Sequence, residues 1–294
     1  MKIFITGASG MLGTDVVSKL KKEKLEVFAT DLKPANKETS LLDVRELAEI
    51  EKAVKKTKPD YIFHLAAETN VDLCEEKPDH AFKTNTLGTE NVALVCQKLN
   101  IPLLYISTAG VFWGDKNEPY NEFDLPRPAN IYGHSKLQGE YAVMRLLSRY
   151  FILRAGWMVG GWAIDKKFVY KMVQQIKEGR KELKVVNDKI GSPTFTKDFA
   201  NNLMSVINSG RYGLYHMTNK STGSRYDIAL KVVEFMGVKD KVKVKPISSS
   251  QFPLPAPRAD SEMMSNYKLE LLGLNNMPNW QESLKEYIAS NKDK

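Results

Sequence analysis

The sequence has only two cysteines, Cys74 and Cys96, among its 294 residues. Two cysteines provide no disulfide framework, and their separation matches no common metal-binding spacing. The sequence also lacks a run of the ~20 apolar residues that a membrane-spanning helix needs, and its first residues turn polar too early for a secretory signal. We therefore expect a protein of the reducing cytoplasm, without a membrane partner.

Acidic residues are fewer than basic ones, 35 against 43, and the net charge is +8. A basic chain is a candidate for nucleic-acid binding. However, the lysines are spread over solvated faces, and aromatic residues do not alternate with them as a base-stacking surface requires. The sequence thus predicts no nucleic-acid partner, whereas a positive surface does raise the local concentration of small dianionic ligands.

The first half of the chain alternates strand and helix signals, which is the pattern of a parallel sheet with crossover helices. Strands are predicted at 2–6, 25–30, 61–67, 103–107 and 151–154, and helices at 11–22, 45–56, 78–99 and 131–149. After residue 155 the alternation weakens. Helices are predicted there at 166–177, 196–208, 226–236 and 280–290, with a Ser- and Pro-rich loop over a cleft at 246–257.

This order of elements predicts an α/β fold, a Rossmann-type doubly wound parallel sheet followed by a smaller C-terminal α+β substrate domain. We expect a dinucleotide-binding domain at 1–158 and a substrate-binding domain at 159–294. The segment at about 190–218, with a predicted strand at 214–217, is expected to return to the first domain.

Gly7, Gly10 and Gly13 form a GxxGxxG turn between the first predicted strand and the first predicted helix. Glycine allows a sharp turn and a close approach to a pyrophosphate, and the helix start offers free N–H groups. The turn therefore predicts a dinucleotide site. Asp31 ends the second strand, where a carboxylate binds the adenosine ribose and repels a 2′-phosphate. NAD(H) is thus favoured, while the nearby Lys33 leaves NADP(H) open.

Tyr132 and Lys136 are four residues apart near the start of a predicted helix, so that they share one face. Free tyrosine has a pKa of ~10, and a nearby ammonium stabilises the phenolate and lowers that pKa. Ser107 and Thr108 end the fourth strand, at the sheet edge where such folds bind ligands. A hydroxyl there can donate a hydrogen bond to a substrate carbonyl. Together with the glycine turn, these residues predict a redox site.

Taken together, the motifs resemble the extended short-chain dehydrogenase/reductase family, and within it the dTDP-4-dehydrorhamnose reductase family. The resemblance covers nearly the whole chain, and its most specific part is Gly191-Ser192-Pro193-Thr194-Phe195-Thr196. It implies hydride transfer from NAD(P)H to the 4-keto group of a nucleotide-linked deoxysugar. It also implies a catalytic group of Thr108, Tyr132, Lys136 and Asn85, and substrate contacts from Val71, Thr108, Trp157 and Arg258. With the glycine turn and Asp31, the cofactor-binding residues are then Gly7, Gly10, Met11, Leu12, Gly13, Asp31, Asp43, Val44, Ala66, Ala67, Glu68, Thr69, Tyr132 and Lys136.

The chain departs from this family at Ala109 and Gly110, because the family usually places Asp-Tyr after its catalytic threonine. Both side chains would approach the sugar or the nicotinamide, so the identity of the sugar stays open. The Asp-Glu pair of sugar 4,6-dehydratases is absent too, which argues against dehydration. Asp15 stands where some relatives have an acidic metal ligand at a dimer contact. It has no partner cluster, so we predict no metal and leave a homodimer open.

Two other functions are compatible with the same motifs. A nucleotide-sugar epimerase would hold NAD tightly and return the hydride to its product. A non-catalytic regulatory subunit, like the beta subunit of methionine adenosyltransferase, can keep the Tyr and Lys pattern. The sequence favours the reductase, because the stretch at 191–196 separates this reductase group from sugar epimerases. The motifs are also compatible with the non-catalytic binding subunit.

Overall fold

A computed structural model of the chain describes residues 1–164 and 167–291. The elements up to residue 155 are β1 (Lys2–Thr6), α1 (Met11–Lys22), β2 (Glu26–Asp31), β3 (Thr39–Leu41), α2 (Leu47–Thr57), β4 (Tyr61–His64), α3 (Val71–Glu76), α4 (Pro78–Ala81), α5 (Gly88–Leu99), β5 (Leu103–Thr108), α6 (Ile131–Leu146) and β6 (Tyr150–Ala155). The later elements are β7 (Trp157–Val159), α7 (Phe168–Lys177), β8 (Glu182–Val186), β9 (Ile190–Gly191), β10 (Pro193–Phe195), α8 (Thr196–Asn208), β11 (Gly213–His216), β12 (Gly223–Ser224), α9 (Arg225–Phe235), β13 (Lys243–Ile247), β14 (Ser261–Glu262), α10 (Tyr267–Leu271) and α11 (Trp280–Ala289).

Seven parallel strands form the main sheet, in the order β11-β6-β5-β4-β1-β2-β3. The strand order reverses between β1 and β4, and in doubly wound sheets ligands bind beyond the carboxyl ends of the strands at this point. The predicted Rossmann-type fold is confirmed. β11 comes from the second half of the chain and pairs with β6 at the edge of the sheet.

Side chains of β1 show why the sheet is covered on both faces. Ile3 and Ile5 point into a core layer that includes Val16 of α1, whereas Phe4 points into the opposite layer with Ile50 of α2. All of these side chains are buried. An apolar run that alternates between two helical layers is the expected pattern of a central parallel strand. No helix among the described residues is both long enough and apolar enough to span a bilayer.

A smaller core lies beside the main sheet, where α7, α9 and α11 pack around the two-stranded sheet of β8 and β13. The prediction that the loop begins at residue 246 is wrong, because β13 continues to Ile247 and pairs with Val186. Its sequence carries two lysines and Pro246, so it looks like a loop. A proline is tolerated there because the strand is at a sheet edge.

The helix predicted at 78–99 is interrupted. α4 ends at Ala81, a π-helical turn covers Phe82–Leu87, and α5 begins at Gly88. Such turns are rare and often occur at functional sites, and this one contains Asn85. The helix predicted at 166–177 begins at Phe168 among the described residues, and residue 166 lies outside them.

Candidate active site

A cavity of about 1090 Å³ opens along the carboxyl ends of β1, β4 and β5. Its lining includes every predicted site residue except Asn85, namely Gly7, Gly10, Met11, Leu12, Gly13, Asp31, Asp43, Val44, Ala66, Ala67, Glu68, Thr69, Val71, Thr108, Tyr132, Lys136, Trp157 and Arg258. Pockets for one small ligand usually hold roughly 300–1,000 Å³. This cavity therefore has room for a dinucleotide together with part of a second ligand.

The glycine turn at one end of the cavity has no room for side chains. Gly7 has a φ of +74°, and a Cβ there would lie 2.5 Å from the backbone nitrogen of Ala66. A Cβ on Gly13 would lie 2.2 Å from the carbonyl oxygen of Gly7. No side chain caps the start of α1, so its first N–H groups are available to an anion. The turn fits a pyrophosphate.

We expect Gly13→Ala to lower the free energy of unfolding by about 3 kcal/mol, at the upper end of overpacking costs. The reason is that the new Cβ would collide with the backbone of Gly7 and Ala8. Gly10→Ala is the matched control, because its Cβ would lie 3.4 Å from the nearest atom and its φ of −72° suits alanine. Urea unfolding of the ligand-free variants measures both. Equal unfolding midpoints would contradict this account of the turn.

Asp31 borders the same end of the cavity, and two backbone N–H groups hold its carboxylate. Oδ2 accepts a hydrogen bond of 3.0 Å from Ser9, and Oδ1 accepts one of 2.8 Å from Lys33. Two cationic residues, Lys33 and Arg45, also line this end. The hydrogen bond from the Arg45 side chain lowers the pKa of Asp43. This end therefore presents both a carboxylate and cations to an adenosine ribose.

Thr108, Tyr132 and Lys136 meet in the wall of the cavity away from the glycine turn. Withdrawal from water raises the pKa of Tyr132 to about 12, although a hydrogen bond to Thr108 opposes this rise. Burial lowers the pKa of Lys136 to about 7, against the opposing charge of Glu140. Lys136 is only 3% exposed, and its ammonium lies 4.2 Å from the centroid of the Tyr105 ring.

The prediction of a lowered pKa for Tyr132 is wrong, because burial raises it to about 12. Burial acts on both Tyr132 and Lys136 and favours the neutral form of each. A phenol with a pKa of about 12 stays protonated at neutral pH. Tyr132 is therefore in the form that can donate a proton, which is the form that a carbonyl reduction requires.

Asn85 lies behind the cavity wall, and of the predicted catalytic residues it alone does not line the cavity. Its Oδ1 accepts a hydrogen bond from the Glu68 backbone N–H at 2.8 Å. Its Nδ2 donates to the Glu68 carbonyl at 3.1 Å and to the Ser135 hydroxyl at 3.0 Å. Asn85 thus connects the segment after β4 to α6, the helix that carries Tyr132 and Lys136.

Trp157 forms part of the wall beyond the catalytic residues. Its indole N–H donates to Glu262, and the Arg225 guanidinium carbon lies 3.7 Å from the ring centroid. The backbone at Gly191 lies against the same ring, since a Cβ there would be 2.5 Å from Cε2. Arg225 and Glu262 also line the cavity. Neither was predicted, because neither belongs to a motif.

Arg258 lies near the start of α3. Its Nη2 donates to Oδ1 of Asp72 at 2.8 Å, and its Nη1 donates to the carbonyl oxygen of Ala256 at 2.7 Å. Val71, the first residue of α3, lines the cavity beside them. The Arg258 side chain remains 30% exposed beside these contacts.

Within 1–164 and 167–291, no three His, Cys, Asp or Glu side chains are grouped closely enough to hold a metal ion. The Asp15 carboxylate instead accepts a hydrogen bond of 2.5 Å from the Thr196 hydroxyl, and burial raises its pKa. Cys74 and Cys96 are both unpaired and buried.

Comparisons with known proteins show the family to which the chain belongs. Residues 1–292 match the family model described as the RmlD substrate binding domain. A dTDP-4-dehydrorhamnose reductase from Mycolicibacterium smegmatis is 32% identical over 98% of this chain and 85% of its own length. The crystal structure of a dTDP-4-dehydrorhamnose reductase from Clostridium acetobutylicum is similar at 38% identity and a TM-score of 0.92, covering 99% of this chain and 100% of that one. The crystal structure of another dTDP-4-dehydrorhamnose reductase, from Bacillus anthracis in complex with NADP, is similar at 36% identity and a TM-score of 0.91. The match covers 98% of this chain and 99% of that one.

Proposed function

Because the chain belongs to the RmlD substrate binding domain family, within the extended short-chain dehydrogenases/reductases, we propose that it is a dTDP-4-dehydrorhamnose reductase. It reduces the 4-keto group of a nucleotide-linked deoxysugar with a nicotinamide dinucleotide. One observation carries the proposal: a single cavity joins the glycine turn to the group of Thr108, Tyr132 and Lys136. The reductases named above support it, because they match this chain over nearly its full length.

A bound NAD(P)H supplies the hydride that reduces the carbonyl carbon. The Gly110 backbone N–H donates to Thr108 Oγ1 at 3.0 Å, and the threonine hydroxyl, which lies within hydrogen-bonding reach of Tyr132, donates to the carbonyl oxygen when the sugar is bound. Tyr132 then donates its proton to that oxygen as a general acid. Lys136 holds the nicotinamide ribose, and Asn85 supports the helix that carries both residues. Trp157, Val71 and Arg258 contact the nucleotide-sugar.

The remaining predicted residues hold the dinucleotide along the strand ends. The pyrophosphate contacts the turn formed by Gly7, Gly10, Met11, Leu12 and Gly13. This assignment is supported by the free N–H groups at the start of α1, which can bind an anion. Asp43 and Val44 border the adenine, and Ala66, Ala67, Glu68 and Thr69 line the channel to the nicotinamide. In this proposal the dinucleotide-binding domain is formed by residues 1–158 with the returning segment at about 190–218. The substrate-binding domain is 159–294, and Val71, Thr108 and Trp157 add sugar contacts from the first domain. Residence in the cytoplasm and a homodimer stay predictions from the sequence.

The experiment is a screen of 4-keto sugar nucleotides with NADH and with NADPH, following the loss of the reduced cofactor. We expect turnover with dTDP-4-dehydrorhamnose and none with dTDP-glucose, which lacks the keto group. An epimerase would instead retain bound dinucleotide after purification and consume no added cofactor. A regulatory subunit would turn over no keto sugar and would bind a protein partner. Absence of turnover with every keto sugar would contradict the reductase.

Asp31 is expected to determine which cofactor is used. We propose that NADH is favoured and that NADPH is also accepted, because Lys33 and Arg45 lie beside the carboxylate. Asp31→Asn should shift the ratio of kcat/KM for NADPH over NADH upward by about tenfold, since it removes a charge that repels a 2′-phosphate. Lys33→Met should shift the same ratio downward. Steady-state kinetics with both cofactors measure it, and an unchanged ratio in Asp31→Asn would contradict the assignment.

A further inference from the structure

Glu262 places a carboxylate in the cavity. It is the second residue of β14, whose pairing with β9 sets Glu262 opposite Gly191. Its Oε2 accepts the hydrogen bond from the Trp157 indole N–H, and the Arg225 guanidinium stacks on the same indole ring. The Trp157 contact therefore fixes Oε2 of Glu262. The other carboxylate oxygen, Oε1, is directed toward Gly110.

Gly110 leaves a space between this carboxylate and the catalytic threonine. A Cβ on Gly110 would lie 3.4 Å from Thr108 Oγ1 and 3.6 Å from Glu262 Oε1. Both oxygens thus lie within 3.6 Å of a single point, so that one sugar ring can contact both. Glu262 is also close enough to Tyr132 that its charge, after the larger effect of burial, helps to raise the phenol pKa.

The chemistry of the two oxygens differs. Thr108 has a proton to donate, so it binds a carbonyl oxygen, whereas an ionised carboxylate only accepts hydrogen bonds. The group that contacts Glu262 must therefore be a donor. In a 4-keto sugar, a hydroxyl on the ring carbon next to the carbonyl is such a donor, and it belongs to the same ring as the carbonyl.

We propose that Glu262 binds the 3-hydroxyl of the sugar, next to the reacting 4-keto carbon, and so selects sugars that carry a hydrogen-bond donor there. This inference rests on the proposed function, since it assigns the sugar end of the same cavity. Gly110 is part of the subsite because it supplies the space for the ring. Sugars with a carboxylate at that position are excluded, because two like charges would meet in the cavity.

Two variants test the subsite without disturbing the fold. Glu262→Gln keeps the shape and an acceptor for Trp157 but removes the charge. Gly110→Ala makes ordinary contacts with Thr108 and Glu262, so the chain still folds, but the methyl group occupies the space for the sugar. Glu118→Gln is the matched control, because its carboxylate is exposed and lies outside the cavity lining.

The measurement is titration calorimetry with dTDP, dTDP-L-rhamnose and the 3-deoxy analogue of dTDP-L-rhamnose. The Kd of dTDP divided by that of dTDP-L-rhamnose gives the contribution of the sugar. We expect Glu262→Gln to lower this ratio about tenfold, the difference between a charged and a neutral hydrogen bond. Gly110→Ala should also lower it, because its methyl group occupies the space for the sugar ring. The Kd of dTDP should not change. The wild-type protein should lose at least this factor with the 3-deoxy analogue, and Glu262→Gln should lose less than the wild type does, because only a neutral hydrogen bond is left to remove.

An unchanged ratio in Glu262→Gln would overturn the inference, as would a wild-type ratio near one or an equal loss of affinity for dTDP itself. The outcome is separate from that of the proposed function. If no keto sugar is turned over but the ratio depends on Glu262, the subsite stands and the reductase proposal fails. If dTDP-4-dehydrorhamnose is reduced and the ratio does not depend on Glu262, the reductase stands and the subsite fails.

Discussion

Replacing Tyr132 with phenylalanine is expected to lower kcat by about 10²–10⁴-fold, the usual contribution of a positioned general acid. The phenylalanine ring fills the same space in the cavity but has no proton to donate to the developing alkoxide. Dinucleotide affinity should stay near that of the wild-type protein, because the glycine turn lies at the other end of the cavity. Single-turnover oxidation of NADH measures the chemical step, and fluorescence titration measures dinucleotide binding.

Tyr215→Phe is the matched control for this loss. Tyr215 is a buried tyrosine of β11, and its hydroxyl donates to the Arg211 carbonyl oxygen rather than facing the cavity. We expect its kcat to stay within about twofold of the wild-type value. A Tyr132→Phe protein that kept the wild-type rate would show that another group supplies the proton, and the role given to Tyr132 would be wrong.

The parts of the site that could be predicted are those encoded by local sequence. The glycine turn follows directly after a strand, and Tyr132 and Lys136 share a helix face because they are four residues apart. Glu262 and Arg225 could not be found in this way, because the pairing of short strands far apart in the chain brings them to Trp157. The pKa of Tyr132 was mispredicted for a related reason, since burial depends on all surrounding elements.

The fold, like the site, was predicted where local sequence encodes it and missed where tertiary contacts determine it. Six of the seven strands of the main sheet were predicted to within a few residues, because each is a largely apolar run in a sheet covered by helices. The edge strand β3, with the sequence Thr-Ser-Leu, was missed. Strands of two or three residues, such as β9 and β14, are too short to show periodicity and were missed. The interruption of the helix predicted at 78–99 was also missed. It accompanies the hydrogen bonds of Asn85 to Glu68 and Ser135, which are tertiary contacts.

Glu140→Ala is expected to lower the free energy of unfolding by about 3–5 kcal/mol, the usual result of breaking a buried ion pair. Glu140 is fully buried in α6 and accepts hydrogen bonds of 2.9 and 2.6 Å from Arg154, which is 3% exposed. It also accepts a hydrogen bond of 2.5 Å from Ser107, the residue before Thr108. The substitution would leave the Arg154 charge buried without its partner, directly behind the catalytic strand.

Urea unfolding of Glu140→Ala should be compared with that of Glu90→Ala, which breaks the ion pair to Arg145 on the surface. The Arg145 side chain is 66% exposed, so this loss should stay below about 1 kcal/mol. Replacing Glu140 and Arg154 together by methionine should recover part of the stability, because no unpaired charge then remains in the core. If Glu140→Ala were no more destabilising than Glu90→Ala, the buried pair could not be what holds α6 against β6.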